Sequence, residues 1–243
     1  MPIHQHTPET FTFIVQVEEA YASLMHFASA RGLENLGGIL LFAGDFPEPG
    51  RVLAVAGNVA GAATLTACAD PAALRQAMRQ GVIDFLVTSL DEALRILKNE
   101  IRKREPVAVA VSIAPETILK EMLGRGVLPD LLPPRLRSAP DDSVLATFLA
   151  FFIHQGAQHI EAPPPRPASR LHIWPIPPEY TQRPAAFDAL LLEHLPPSSH
   201  AARRWLRLSP RYLGPEARRL RSLTCDEETA SNLIDRFGPP LQP

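Results

Sequence analysis

The stretch GGILLFAGDFPEPGRVLAVAGNVAGAATLTAC, residues 37–68, holds the side chains best placed for ligand chemistry. An apolar run of strand length leads into the turn Asp45, Phe46, Pro47, Glu48, Pro49, Gly50, Arg51, and a helix of small residues follows. A turn from a buried strand into a helix is where a dinucleotide-binding chain keeps a glycine-rich loop, since bare amides and the helix dipole attract phosphate there. In this turn the prolines lack amide donors. Glu48 repels a phosphate, Gly50 is the one glycine left, and Arg51 is the one cation. Ligands of open α/β sheets bind outside the carboxyl ends of the strands. Gly44, Asp45, Cys68, Thr88, Ser89 and Ser112 fall at such ends. Gly44, Asp45, Gly50, Arg51 and Ser112 form the candidate cofactor pocket, while helix capping accounts for Thr88 and Ser89.

Other reactive side chains form no set. His4 and His6 are a chance pair near the N-terminus, and His154, His159 and Glu161 lack the spacing of a metal site. His172 beside Trp174 in a strand reads as packing. No GxSxG occurs. Cys68 lies in an apolar strand, where burial raises a thiol pKa rather than lowering it. Asp91 and Glu92 are paired carboxylates explained by the first turn of a helix. No catalytic residue and no metal ligand is therefore assigned.

Composition sets further bounds. With 46% hydrophobic and 21% charged residues, the 243-residue chain suits a globular protein. A net charge of −2 gives no overall attraction for nucleic acid. Local charge is uneven: Arg203, Arg204, Arg207, Arg211, Arg218, Arg219 and Arg221 crowd one region, read as a solvated or partner-facing surface. Cys68 and Cys225 suggest no disulfide framework. No apolar run reaches bilayer length, and the first residues carry no secretory pattern, so a cytoplasmic location is expected.

The elements that must position the pocket are legible in the spacing. Residues 10–31 carry a helical stripe that Gly32 ends. Strands follow at GGILLFAG, ATLTACA, VIDFLV, PVAVAVSI and VLPDLL, with helices between them. Asp70-Pro71 starts one helix and the Ser89/Glu92 capping box another, whose apolar face is Leu90, Leu94, Leu97 and Ile101. Short alternating strands and helices demand right-handed crossovers and a parallel sheet. Residues 141–154 read as a helix capped by Asp141 or Asp142, and AQHIEA as a sixth strand. Beyond the proline-rich segment, RLHIWPI reads as an edge strand, and four stretches including PEARRLRSL read as short helices. The expected fold is α/β, a doubly wound, mainly parallel sheet at 10–161, a linker at 162–170 and a smaller, mainly helical C-terminal region at 171–243.

Residues 17–132 resemble the Rossmann-like NAD-binding domain of urocanases (urocanate hydratases). The matching pieces are AGDF at 43–46, NVAG at 58–61, DP at 70–71, LDEALRIL at 90–97, RKREPVAV at 102–109 and RGVLPDLL at 125–132, in the same order and spacing. The resemblance implies a Rossmann-like fold. It also implies tightly bound NAD⁺, whose nicotinamide adds to the imidazole of urocanate and activates it for hydration. The family's phosphate turn, roughly GGMSGAQP, aligns with Pro47 to Ala54, so its glutamine falls on Leu53. Its ribose-binding acid falls on Cys68. Its Gly-Asn falls on Ile113-Ala114, and its TDQTS-like run on Pro133, Pro134, Arg135, Leu136 and Arg137. At this length the chain is expected to lack the family's surrounding catalytic domains.

Fold-forming positions are thus kept, and cofactor-touching ones are replaced. The expectation is a non-catalytic binding or interaction module that takes no cofactor, NAD being the one the resemblance implies. The alternative is an NAD-binding protein with urocanate hydratase-type lyase activity in histidine degradation. A protein partner or a homodimer through the C-terminal region is expected, with Trp174, Trp205 and Tyr212 as anchors. Neither a membrane nor nucleic acid is an expected partner.

Overall fold

The structure is a computed structural model, and it describes residues 8–46, 49–133, 144–164, 169–214 and 219–241. The chain divides into two compact units, residues 19–163 and residues 1–18 with 164–243. Helix α1 (Pro8–Ala30) begins in the second and continues into the first.

The larger unit alternates strand and helix as the sequence spacing requires. Its elements after α1 are β1 (Leu40–Asp45), α2 (Gly50–Ala60), β2 (Ala63–Ala67), α3 (Pro71–Arg79) and β3 (Phe85–Val87). Then come α4 (Leu90–Lys103), β4 (Val107–Val111), α5 (Pro115–Gly124), β5 (Leu131–Leu132), α6 (Val144–His154) and β6 (Gln158–His159). The sheet order is β3-β4-β2-β1-β5-β6. Every pairing is parallel, as in a Rossmann-like fold. From β1 the chain moves to β2 and on to the edge strand β3, steps back to β4 between them, then returns through α5 to β5 on the other flank of β1. The crevice at the carboxyl ends of β1 and β5 is the topological switch point, where such sheets hold ligands.

The two faces of the sheet differ in residue size. Phe42, Leu65, Val109 and Val111 share one core with Leu90, Leu94 and Leu97 of α4 and Ile118, Leu119 and Met122 of α5. Each such side chain contributes about 1.5–3 kcal/mol on burial. On the opposite face α2 lies almost in contact with the strands. A Cβ on Gly57 would stand 2.5 Å from Thr64 Oγ1 and 3.1 Å from Leu41 Cδ2. One on Gly50 would stand 2.6 Å from both Asp45 O and Thr66 Oγ1. All four distances lie inside van der Waals contact, so the small residues of α2 set the helix–sheet spacing.

The helix starts follow their caps. Asp70 accepts from Ala72 N at 2.8 Å. Ser89 accepts from Glu92 N at 3.3 Å, and the Glu92 carboxylate accepts from Thr88 N at 3.4 Å. The proposed caps Asp141 and Asp142 lie outside the described residues.

In the smaller unit β7 (Ser169–Pro175) and β8 (Leu220–Asp226) form a two-stranded antiparallel sheet, in register from Ser169 opposite Asp226 to Pro175 opposite Leu220. The connection carries a 3₁₀ turn (Pro178–Tyr180), α7 (Pro184–Glu193) and α8 (His200–Tyr212), and α9 (Glu227–Phe237) follows β8. The helix expected over PEARRLRSL is corrected here, because Leu220–Leu223 lie in β8. Its helical look came from arginines at helical spacing. In the fold Arg221 is 5% exposed and forks onto the Asp188 carboxylate, its Nη2 lying 3.2 Å from Oδ2. A buried charge with its partner on a distant helix leaves no local pattern.

Trp174, Trp205 and Tyr212 are also corrected. They are 1%, 2% and 5% exposed. Trp205 Nε1 donates to Ser222 O at 2.9 Å and Trp174 Nε1 to Gly238 O at 3.2 Å. Each indole thus fills the core of the unit with its polar edge satisfied, and none of the three is an exposed anchor.

Candidate functional site

The end of β1 brings four of the sequence-selected residues together. Gly44 has φ of +85°, a region that favours glycine, and its carbonyl accepts from Thr66 Oγ1 at 2.9 Å. A Cβ built on Gly44 would meet Pro133 Cγ at 3.3 Å and Pro49 Cγ at 3.9 Å. Two proline rings, one from the start of α2 and one from the end of β5, therefore converge over β1 at the switch point. Asp45 follows with an exposed side chain. Gly50 begins α2, whose N-cap position, Pro49, gives no side-chain cap. Arg51 stands next in the first turn, half-buried. Pro47, Glu48 and the residues from Pro134 to Arg137 lie outside the described residues.

Gly50 has a structural reason that its sequence position did not reveal. The close approach to Asp45 O and Thr66 Oγ1 excludes any larger residue, whatever ligand the turn faces. Its presence is therefore no sign of a phosphate contact.

Ser112 sits apart from the others. It follows β4, which is separated from β1 by β2, so it lies about 10 Å away at ordinary strand spacing. Its amide donates to Val87 O at 3.0 Å, and its hydroxyl lies 3.4 Å from the same carbonyl. Both groups tie β4 to the edge strand β3.

Two carboxylates, Asp45 and Glu116, and the cation Arg51 belong to the turns at the end of β1. Although Asp45 is exposed by surface area, partial desolvation by the surrounding chain raises its carboxyl above the ordinary pKa, the Phe46 amide opposes this, and the Glu116 carboxylate raises it further. Glu116 lies in the first turn of α5. It carried no special signal in the sequence, because an acid after Pro115 is what a helix start favours. The end of β2 carries Cys68, which is 6% exposed, with its sulfur 3.3 Å from Asp70 N. Asp70 itself is the cap of α3.

The histidine candidates separate. His159 Nδ1 lies 2.7 Å from Pro133 O, and His154 is exposed on the last turn of α6. Among the described residues no three of His, Cys, Asp and Glu are grouped to hold a metal. His4 and His6 lie outside them. Among the same residues no helix is long and apolar enough to cross a membrane.

Comparison with known proteins matches this unit. The family model described as the urocanase Rossmann-like domain covers residues 15–135. S-methyl thiourocanate hydratase of Variovorax sp. (strain JCM 16519 / RA8) is 26% identical over 116 residues, which make up 48% of this chain and 21% of that protein. The chain thus matches about a fifth of that relative's length.

Proposed function

We propose, from the premise that residues 15–135 belong to the urocanase Rossmann-like domains, that this protein is a non-catalytic binding module whose switch point no longer takes NAD in the family's manner. The observation that carries this reading is the convergence of Pro49 and Pro133 on Gly44. A pyrophosphate needs amide donors aimed into that crevice, and proline has none. Asp45 and Glu116 add negative charge beside it. Cys68, a thiol, stands where an acid would hold the ribose hydroxyls. On this reading the Pro49 and Pro133 rings stand where the dinucleotide's pyrophosphate would need donors.

The relative's hydration of S-methyl thiourocanate belongs to a much longer protein, of which 21% is matched here. The module reading assigns this chain no such reaction. It places binding in the unit that holds β7, β8 and the arginine-rich α8.

The test is a thermal-shift titration with NAD⁺, NADH, urocanate and S-methyl thiourocanate, on protein purified without added nucleotide. A ligand at one hundred times its dissociation constant stabilises the native state by about 2.7 kcal/mol. In a chain of this size that moves the melting midpoint by about 5–10 °C. The expected result is no shift and no nucleotide released on denaturation. A clear NAD⁺ shift overturns the proposal.

A further inference from the structure

Residues 238–241 lie along β7 as a strap. After α9 the chain turns at Gly238, whose φ of +84° favours glycine. The Gly238 carbonyl accepts from Trp174 Nε1 at 3.2 Å. Leu241 N donates to Ile173 O at 2.7 Å and makes an antiparallel bridge with that residue. The strap thus occupies the edge of β7 that β8 leaves open.

A histidine holds the helix that carries this strap. His194 is the C-cap of α7. Its Nδ1 lies 2.8 Å from Leu190 O, and its Nε2 lies 3.4 Å from Arg236 Nη1 in the last turn of α9. A carbonyl only accepts and a guanidinium only donates. The two contacts therefore require a neutral His194, with its proton on Nδ1 and the Nε2 lone pair toward Arg236. The Phe237 ring stands edge-on to His194 at 6.2 Å and to Phe187 of α7 at 5.1 Å. Charged neighbours come from three helices: Glu193 precedes His194 in α7, Arg236 belongs to α9 and Arg203 to α8. Arg203 donates to Leu192 O at 2.8 Å and to Leu195 O at 3.0 Å. Glu193 and the α7 dipole favour a charged ring, and the two arginines oppose it.

We infer that protonation of His194 is a switch that loosens the last turn of α9 and lifts the 238–241 strap from β7. A protonated ring has no lone pair for Arg236, and it sets two cations 3.4 Å apart. Gly238 follows Arg236 by two residues, so freeing the last turn frees the start of the strap. Ile173 O and Trp174 Nε1 then lose their partners on the strap, and the β7 edge is left open. The inference concerns this unit alone and holds whether or not the crevice at β1 takes a nucleotide.

The experiment is hydrogen exchange followed by NMR on the full chain at about pH 7.5 and about pH 5.5, which bracket the range in which a histidine ordinarily titrates. Protection is corrected for the intrinsic exchange rate at each pH. Loss of one hydrogen bond should cut the protection of the Leu241 amide and the Trp174 indole about three- to ten-fold at the lower pH. The Trp205 indole, bonded to Ser222 O in the same unit, should keep its protection. In His194→Gln, whose amide both donates and accepts, the difference between the two pH values should vanish. In Arg236→Gln, at an exposed position, it should shrink, because the second cation is gone. His172 is the competing group, its ring 5.5 Å from that of Trp174. Burial and Arg170 hold its pKa below the ordinary histidine value, and His172→Gln should leave the response intact. Equal protection at both pH values in the parent overturns the inference. So does a fall shared by the Trp205 indole, a response that survives in His194→Gln or is undiminished in Arg236→Gln, or one that disappears in His172→Gln.

Discussion

Replacing Gly50 by alanine separates two reasons for keeping a glycine at the start of α2. If the residue served only a phosphate, Gly50→Ala would leave the ligand-free protein unharmed. Helix propensity would even favour alanine, by up to about 1 kcal/mol. The geometry demands the opposite. The added Cβ would stand 2.6 Å from Asp45 O and from Thr66 Oγ1, and ordinary contact begins near 3.4 Å. The threonine could rotate, but Asp45 O is backbone in β1, so helix and strand must part by several tenths of an ångström. Because α2 is buried along nearly its whole length, that shift disturbs the packing of Val52, Leu53 and Val59 as well. Overpacking of this kind costs about 1–3 kcal/mol. Set against the smaller propensity gain, a net loss of about 1–2 kcal/mol is expected, or about 2–8 °C in the melting midpoint. Urea and thermal unfolding of the ligand-free protein measure it, with Arg51→Ala as a neighbouring control. A Gly50→Ala protein as stable as the parent would refute the close-approach argument and return Gly50 to the cofactor-loop explanation.

Three further outcomes follow from the same geometry. Asp188→Ala should cost about 3–5 kcal/mol in urea unfolding by stranding the buried Arg221 charge, and Asp188→Leu with Arg221→Met should recover most of it; a single-variant loss below about 1 kcal/mol would show the pair to be solvated. Burial, aided by Asp226, pushes the Cys225 thiol from 9.0 up to about 11. The folded chain then holds a proton that the unfolded chain releases, so stability should fall between those two pH values. The fall attributable to this group is about 2 kcal/mol and should vanish in Cys225→Ala; equal pH profiles for parent and variant would disprove it. Asp45 should titrate above an ordinary aspartate, mostly because of partial desolvation, and Glu116→Gln should lower its midpoint, read by carboxyl-carbon NMR. The same raised pKa means that Asp45 favours the folded state at low pH and loses that contribution as pH rises through its titration; an unmoved midpoint in Glu116→Gln would place the two carboxylates out of range of each other.

The sequence alone determined the larger unit, because its information is local. Strand runs such as Leu40–Ala43, the Asp70 and Ser89 caps and the apolar stripe of α4 act within a few residues, and crossover handedness then limits the topology. It also located the end of β1 and the turn in which prolines stand where the resembled family has glycines. Only the tertiary structure decided what depends on residues far apart in the chain. Pro133 meets Gly44 because β5 returns beside β1. Glu116 acts on Asp45 through a helix that follows another strand. β8 is a strand because β7, some fifty residues earlier, supplies its hydrogen bonds, and because Asp188 neutralises the arginine buried in it. The tryptophans proved to be core for the same reason. Their residue type fits a surface anchor or an interior equally well, and the choice was made by whether other elements close over them.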